Sequence, residues 1–150
     1  MTALARLAPD DIAEIMRLER GEGYEGLVGR WDAEAHRAEM ETPTSRYVGF
    51  RNAAGGLDGF VMFQELDLPV ALLRRIAVTA PGQGIGGRLL QASVSWALGQ
   101  GPYTGVRLQV RDINARARRA YEREGFMFTG NDEGDHLEML VTRTAWEARS

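Results

Sequence analysis

An apolar, strand-like run passes through a glycine-rich turn straight into an apolar-periodic helix: Ile76-Ala77-Val78-Thr79-Ala80-Pro81-Gly82-Gln83-Gly84-Ile85-Gly86-Gly87-Arg88-Leu89-Leu90. No other stretch constrains the fold of this chain as much. Such a turn leaves backbone N–H groups unpaired at a helix N-terminus, where the aligned peptide dipoles add partial positive charge. Four glycines fall within six residues (82, 84, 86 and 87), although glycine costs about 1 kcal/mol in a helix interior. They let a ligand approach the backbone closely. The segment reads as a site for phosphate or pyrophosphate; the alternative is a tight strand-to-helix connection that holds nothing.

Gly82-x-Gly84-x-x-Gly87 also spells a dinucleotide-binding motif, which expects an acidic residue about 20 positions further on to hold a ribose. No Asp or Glu occurs from Arg88 through Arg111. The glycines also sit in mid-chain instead of following a first strand. A Walker A loop fails too, because no Gly-Lys-Ser/Thr follows.

A second constellation lies downstream: Arg107-Leu108-Gln109-Val110-Arg111-Asp112-Ile113-Asn114, then Tyr121 and Gly125-Phe126. It predicts a strand, a short turn, a helix opened by Asn114 and ended by Gly125, and a further strand from Phe126. The pair of motifs resembles the GNAT N-acetyltransferase superfamily. That family's pyrophosphate motif, Gln/Arg-x-x-Gly-x-Gly/Ala, falls on residues 81–86. Its later motif, Asn with Tyr seven residues on and then Gly-Phe, falls on Asn114, Tyr121, Gly125 and Phe126. The likeness is strongest over residues 72–128. It implies an α/β fold, GNAT-like, with a mixed, mostly antiparallel central sheet and flanking helices, as a single domain over residues 1–150.

It also implies acetyl-CoA as acetyl donor and an amine-bearing substrate as acceptor, with no metal. In the family the strand before the glycine turn splays from its neighbour, so that its backbone pairs with the pantetheine arm. Here that strand offers Ile76, Ala77 and Val78. Backbone amides across Gln83, Gly84, Ile85, Gly86, Gly87 and Arg88 are then expected at the pyrophosphate. Pro81 departs from the family pattern, since proline has no N–H to donate; Gln83 and Arg88 are the polar residues beside it. Asn114 is expected to cap its helix and to bond cofactor or substrate. Tyr121 is the expected catalytic residue: a phenol, protonated at neutral pH, can give its proton to the departing thiolate.

The general base is open. In N-terminal acetyltransferases of the family a Glu lies five residues before the Asn, where this chain has Gln109; histone-type relatives carry a Glu at the position of Leu72. The remaining candidates are Glu65, Asp67, Glu19, Glu22, Glu25 and His136. The vacant positions keep a second function in view, a CoA-binding regulatory module without catalysis. Residues 21–30, with Glu22, Glu25 and Tyr24, followed by Trp31, suit a cationic acceptor through charge and cation–π contacts, or form an ordinary loop anchored by Trp31.

The chain has no cysteine, which removes disulfides, thiolate metal sites and a thiol nucleophile. All 18 basic residues are Arg. Residues 1–70 carry seven Arg against 13 acids, residues 71–125 nine against three, and residues 126–150 two against five. The basic segment holds both motifs, as a polyanionic ligand favours. The acidic balance of the whole chain and the lack of a recognition motif argue against nucleic acid. No apolar run approaches 18 residues and no signal-peptide core opens the chain, so a cytoplasmic protein with no membrane partner is expected. Many family members form homodimers, an expectation to which no surface is assigned here.

Element by element, the sequence predicts a strand over 3–7, a helix from Pro9 to about Arg20, a helix capped by Asp32, and a hairpin of strands 47–51 and 57–65. A strand over 70–78, the glycine helix to about Leu98, a strand over 106–110, a helix over 114–124 and strands over 126–130 and 137–141 follow. Arg118 and Glu122 are expected to pair across one helical turn.

Overall fold

The computed structural model describes residues 3–21, 31–80 and 83–149. Strand β1 (Leu4–Arg6) leads through a 3-10 turn at Pro9–Asp11 into α1 (Ile12–Glu19), and α2 spans Ala33–Glu41. Then come β2 (Arg46–Arg51), β3 (Leu57–Gln64), β4 (Val70–Val78), α3 (Ile85–Gly99), β5 (Gly105–Arg111), α4 (Ala115–Arg123), β6 (Met127–Phe128), β7 (His136–Thr142) and α5 (Arg143–Ala148). The strands form one sheet in the order β1-β2-β3-β4-β5-β7-β6. All neighbours are antiparallel except β4 and β5. A parallel pair needs a crossover, and α3 supplies it.

Both faces of the sheet are covered on its β1–β4 side. On one face Val61, Phe63, Leu73 and Val78 pack with Leu89, Leu90, Val94 and Ala97 of α3, joined by Phe126 and by Trp146 of α5. On the other, Tyr47, Phe60, Met62 and Ala77 pack with Ile15 and Leu18 of α1. The hydrophobic periodicity of α1 and α3 therefore ends in two separate cores, one per sheet face.

β4 is irregular where it matters. Its pairing with β3 shifts register between Met62, opposite Arg75, and Phe63, opposite Leu73, so Arg74 is an extra residue. A bulge of this kind bends a strand and increases its twist. The parallel pairing with β5 runs from Val70 opposite Gly105 only to Leu73 opposite Leu108. Beyond the bulge the two strands part, and Arg74 to Ala77 have no ladder partner on β5.

Two expectations need correction. α5 was not anticipated, although Thr142 caps it in the ordinary way, accepting from the Ala145 N–H. It seats Trp146, whose Nε1–H donates to Ser95 Oγ at 3.0 Å. The strand expected over 126–130 is confined to Met127–Phe128, because Gly130 turns the chain with φ +85°.

Candidate active site

The gap between the diverging strands opens into a cleft of about 560 Å³, lined by β4, β5, the first turn of α3 and one face of α4. Unpaired backbone at a strand edge requires hydrogen-bond partners, and here the edge faces a cavity. Ile76 and Val78 line it. Ala77 points the other way, fully buried against α1.

At the first turn of α3, Gly84 occupies the N-cap position with φ +86° and no side chain caps the helix. A left-handed cap suits glycine, since a Cβ there costs about 1–2 kcal/mol. A Cβ built on Gly86 meets no atom of the described residues within 4 Å, and Gly86 lines the cleft. Gly84, Gly86 and Gly87 all line that cleft. Gln83 and Arg88 are exposed beside it, and Ile85 packs into the core. Pro81 and Gly82 lie outside the described residues, as do Glu22, Tyr24 and Glu25.

The spacing of the downstream motif has a local cause. Asn114 caps α4 by accepting from the Ala117 N–H at 3.2 Å. At the other end Gly125 (φ +99°) closes the helix: its N–H donates to Glu122 O at 3.0 Å and the Phe126 N–H to Tyr121 O at 3.1 Å. This double bond is a Schellman closure, which brings the residue after the glycine against the residue five before it. The rings of Tyr121 and Phe126 accordingly sit 5.9 Å apart. Seven residues make two helical turns, so Asn114 and Tyr121 share a face, and both line the cleft. The cap that ends the helix also aims the phenol.

Among the described residues arginine dominates the wall: Arg74, Arg75, Arg111, Arg116 and Arg123, with Glu124 and His136 as the other ionisable groups besides Tyr121. No ion pair joins Arg118 to Glu122, contrary to expectation. Glu124 is held instead by Arg149 and by Gln91 Nε2–H at 2.9 Å.

Arg75 joins the cleft to a buried polar cluster whose members lie far apart in the chain and share no motif. Its Nη1 donates to Glu19 Oε2 at 2.6 Å. The other Glu19 oxygen lies 2.7 Å from His36 Nε2, and His36 Nδ1 lies 2.6 Å from Tyr47 Oη. Glu19 and His36 are both fully buried. An ionised Glu19 fixes the tautomer: Nε2–H donates to it, and Nδ1 accepts from the Tyr47 hydroxyl. Burial pushes the Tyr47 phenol well above its usual range, so it stays a donor. Trp31 lies beneath the Arg75 guanidinium, 4.4 Å from ring centroid to Cζ.

Of the candidate bases that fall among the described residues, Glu19, Glu65 and Asp67 do not line the cleft. Glu19 is consumed by Arg75 and His36. Glu65 sits at the end of β3 with φ +57° and pairs with Arg107 at 2.6 Å.

A split parallel pair, a glycine helix N-terminus at one end of the split and a tyrosine on the facing helix agree with a sequence-family match. Residues 12–126 match the model of the acetyltransferase (GNAT) family. The chain belongs to that family. It is thereby an acyltransferase of the acetyl-CoA-dependent N-acetyltransferase class. Among solved structures it is similar to an N-acetyltransferase of Escherichia coli that acts on a ribosomal-protein alanine, at 22% identity and TM-score 0.76 over 95% of this chain and 94% of the other. It is similar to spermidine N-acetyltransferase from Vibrio cholerae in complex with CoA and spermine, at 18% identity and TM-score 0.81 over 97% and 98%. An aminoglycoside acetyltransferase in complex with coenzyme A matches at 20% identity and TM-score 0.79 over the full length of both chains. No curated protein sequence matches significantly. Among the described residues no helix is long and apolar enough to cross a membrane, and no group of three or more His, Cys, Asp or Glu is placed to hold a metal.

Proposed function

We propose that the protein transfers the acetyl group of acetyl-CoA directly to a primary amine within a ternary complex. The observation that carries this is the convergence of Tyr121, the open β4 edge and the uncapped α3 N-terminus on one cleft. The residues fit the donor: the space above Gly86 admits close approach, and unsatisfied N–H groups of the first helical turn suit a pyrophosphate. Ile76 to Val78 would bond the pantetheine arm, and Arg116 and Arg123 supply positive charge for the polyanion. At the reacting centre the amine nitrogen forms its bond to the thioester carbon, the C–S bond breaks, and Tyr121 gives its phenolic proton to sulfur. The chain has no cysteine to carry an acyl intermediate, which favours direct transfer. The structural neighbours named above act on amines of three kinds: a protein alanine, a polyamine and an aminoglycoside.

The test follows acetyl-CoA consumption as released thiol, with spermidine, an aminoglycoside and an alanine-initiated peptide as acceptors. Tyr121→Phe is expected to lower kcat by about 10²–10⁴-fold, the usual weight of one proton-transfer group, while acetyl-CoA binding is retained. Initial-velocity lines for donor and acceptor should intersect. Parallel lines would overturn direct transfer. Tight acetyl-CoA binding with no turnover on any acceptor would favour the regulatory module.

A further inference from the structure

We propose that His136 is the general base of this acetyl transfer, oriented by Asp135; the inference rests on the transfer reading above. The two carboxylate positions used by relatives hold Gln109 and Leu72 here. Of the described residues lining the cleft, only Glu124 and His136 offer a proton acceptor besides the phenol of Tyr121. Glu124 is bound by Arg149 and Gln91, and it lies beside Gly87, at the helix end of the cleft. Glu138 sits across the ladder from Gln109, but its oxygens accept from Arg107, Thr129 and Asn131, and it does not reach the cleft wall. His136 remains.

Its surroundings suit the task. His136 opens β7 directly opposite Arg111, two residues along β5 from Gln109. Positions 109 and 111 fall on one face of the sheet. His136 Nδ1 lies 3.0 Å from Asp135 Oδ1, and the other oxygen of Asp135 accepts from Arg111 Nη2 at 3.0 Å. A carboxylate at Nδ1 holds the proton on that nitrogen and leaves the Nε2 lone pair outward. Half of the side chain is exposed, so it exchanges protons with solvent. The charged groups around it are Asp135 and Arg111, with Glu133 on the other arm of its turn, Asp112 at the end of β5 and Arg116 on the facing helix.

The protons balance. An ammonium acceptor sheds two on becoming an amide. His136 Nε2 takes the first, exposing the lone pair that attacks the thioester carbon, and passes it to solvent. Tyr121 supplies the proton for sulfur, and the second acceptor proton restores the phenol as the intermediate collapses.

The test compares native protein with His136→Gln, Asp135→Asn, Glu22→Gln and Glu25→Gln, using the fastest acceptor of the panel above between pH 5.5 and 9.5. His136→Gln is expected to lose about 10²-fold or more in kcat/KM at pH 7 and to lose the rising limb of the native pH profile. Added imidazole should restore part of the rate, and acetyl-CoA affinity should stay within about twofold. Asp135→Asn should lower kcat/KM by less than His136→Gln, because it frees the ring that the carboxylate holds at Nδ1. A native-like rate and limb in His136→Gln would overturn the proposal and leave the transfer reading standing. Transfer of the limb to Glu22→Gln or Glu25→Gln would overturn it equally. No turnover by native protein would overturn both.

Discussion

Replacing Glu19 with Gln tests how much the buried cluster behind Arg75 contributes to stability. Gln keeps the shape of the side chain and removes its charge. One of the two contacts, at 2.6 Å to Arg75 and 2.7 Å to His36, then sets donor against donor. Arg75 is only 7% exposed, and burial already draws its guanidinium below its usual value while Glu19 opposes that. Removing one partner of a buried ion pair costs about 3–5 kcal/mol. Arg75 borders a solvent-filled cleft, so the lower end applies, about 3 kcal/mol. With a urea slope of about 2 kcal/mol per molar, the unfolding midpoint should fall by about 1.5 M. Equilibrium urea unfolding at pH 7, followed by tryptophan fluorescence, measures it. The double variant Glu19→Gln/Arg75→Met removes both charges and leaves the amide oxygen at position 19 to accept from His36 Nε2–H, so it should be more stable than Glu19→Gln alone. A loss below about 1 kcal/mol in the single variant, or simple additivity in the double, would refute this account of the cluster.

Gly86→Ala should leave stability unchanged or raise it by up to about 1 kcal/mol through helix propensity, since its Cβ meets no atom of the described residues within 4 Å. It should weaken acetyl-CoA binding tenfold or more; calorimetry of folding and of binding reads the opposite signs. Asp11 accepts from both Arg51 nitrogens and from the Ala8 N–H, and the Arg51 bonds hold its carboxyl below the usual range. The stability this adds is complete above about pH 4, the unfolded value, and is lost as pH falls through the lower folded value. Asp11→Asn should therefore flatten the acid limb of a plot of melting temperature against pH. Thr142→Ala removes the cap of α5 and should cost about 1 kcal/mol, seen as a lower urea midpoint.

Much of the site was legible because its parts are local. The glycine turn, the Asn114 cap and the Tyr121-Gly125-Phe126 closure are each written within a few residues. Helix termini are satisfied by near neighbours in the chain. Apolar runs on either side of the Ala53-Ala54-Gly55-Gly56 turn marked the hairpin of β2 and β3, and Asp32 marked the start of α2. α5 was missed although Thr142 announces it, because six residues are too few for a periodic signal.

The sequence by itself determined the family, the order of elements from β1 to β7 and the helix face that Asn114 and Tyr121 share, since these follow from turn chemistry, caps and hydrophobic period acting over one or two helical turns. Only the tertiary structure decided that β4 leaves β5 after Leu73 and that Arg74 is bulged, because register depends on strands far apart in the chain. It alone joined Glu19, His36, Tyr47 and Arg75, drawn from four elements. They meet because each buried polar group requires a partner once water is excluded. It alone placed His136 at the wall of the cleft that Tyr121 lines. A sheet edge brings together residues whose separation along the chain carries no signal of their contact.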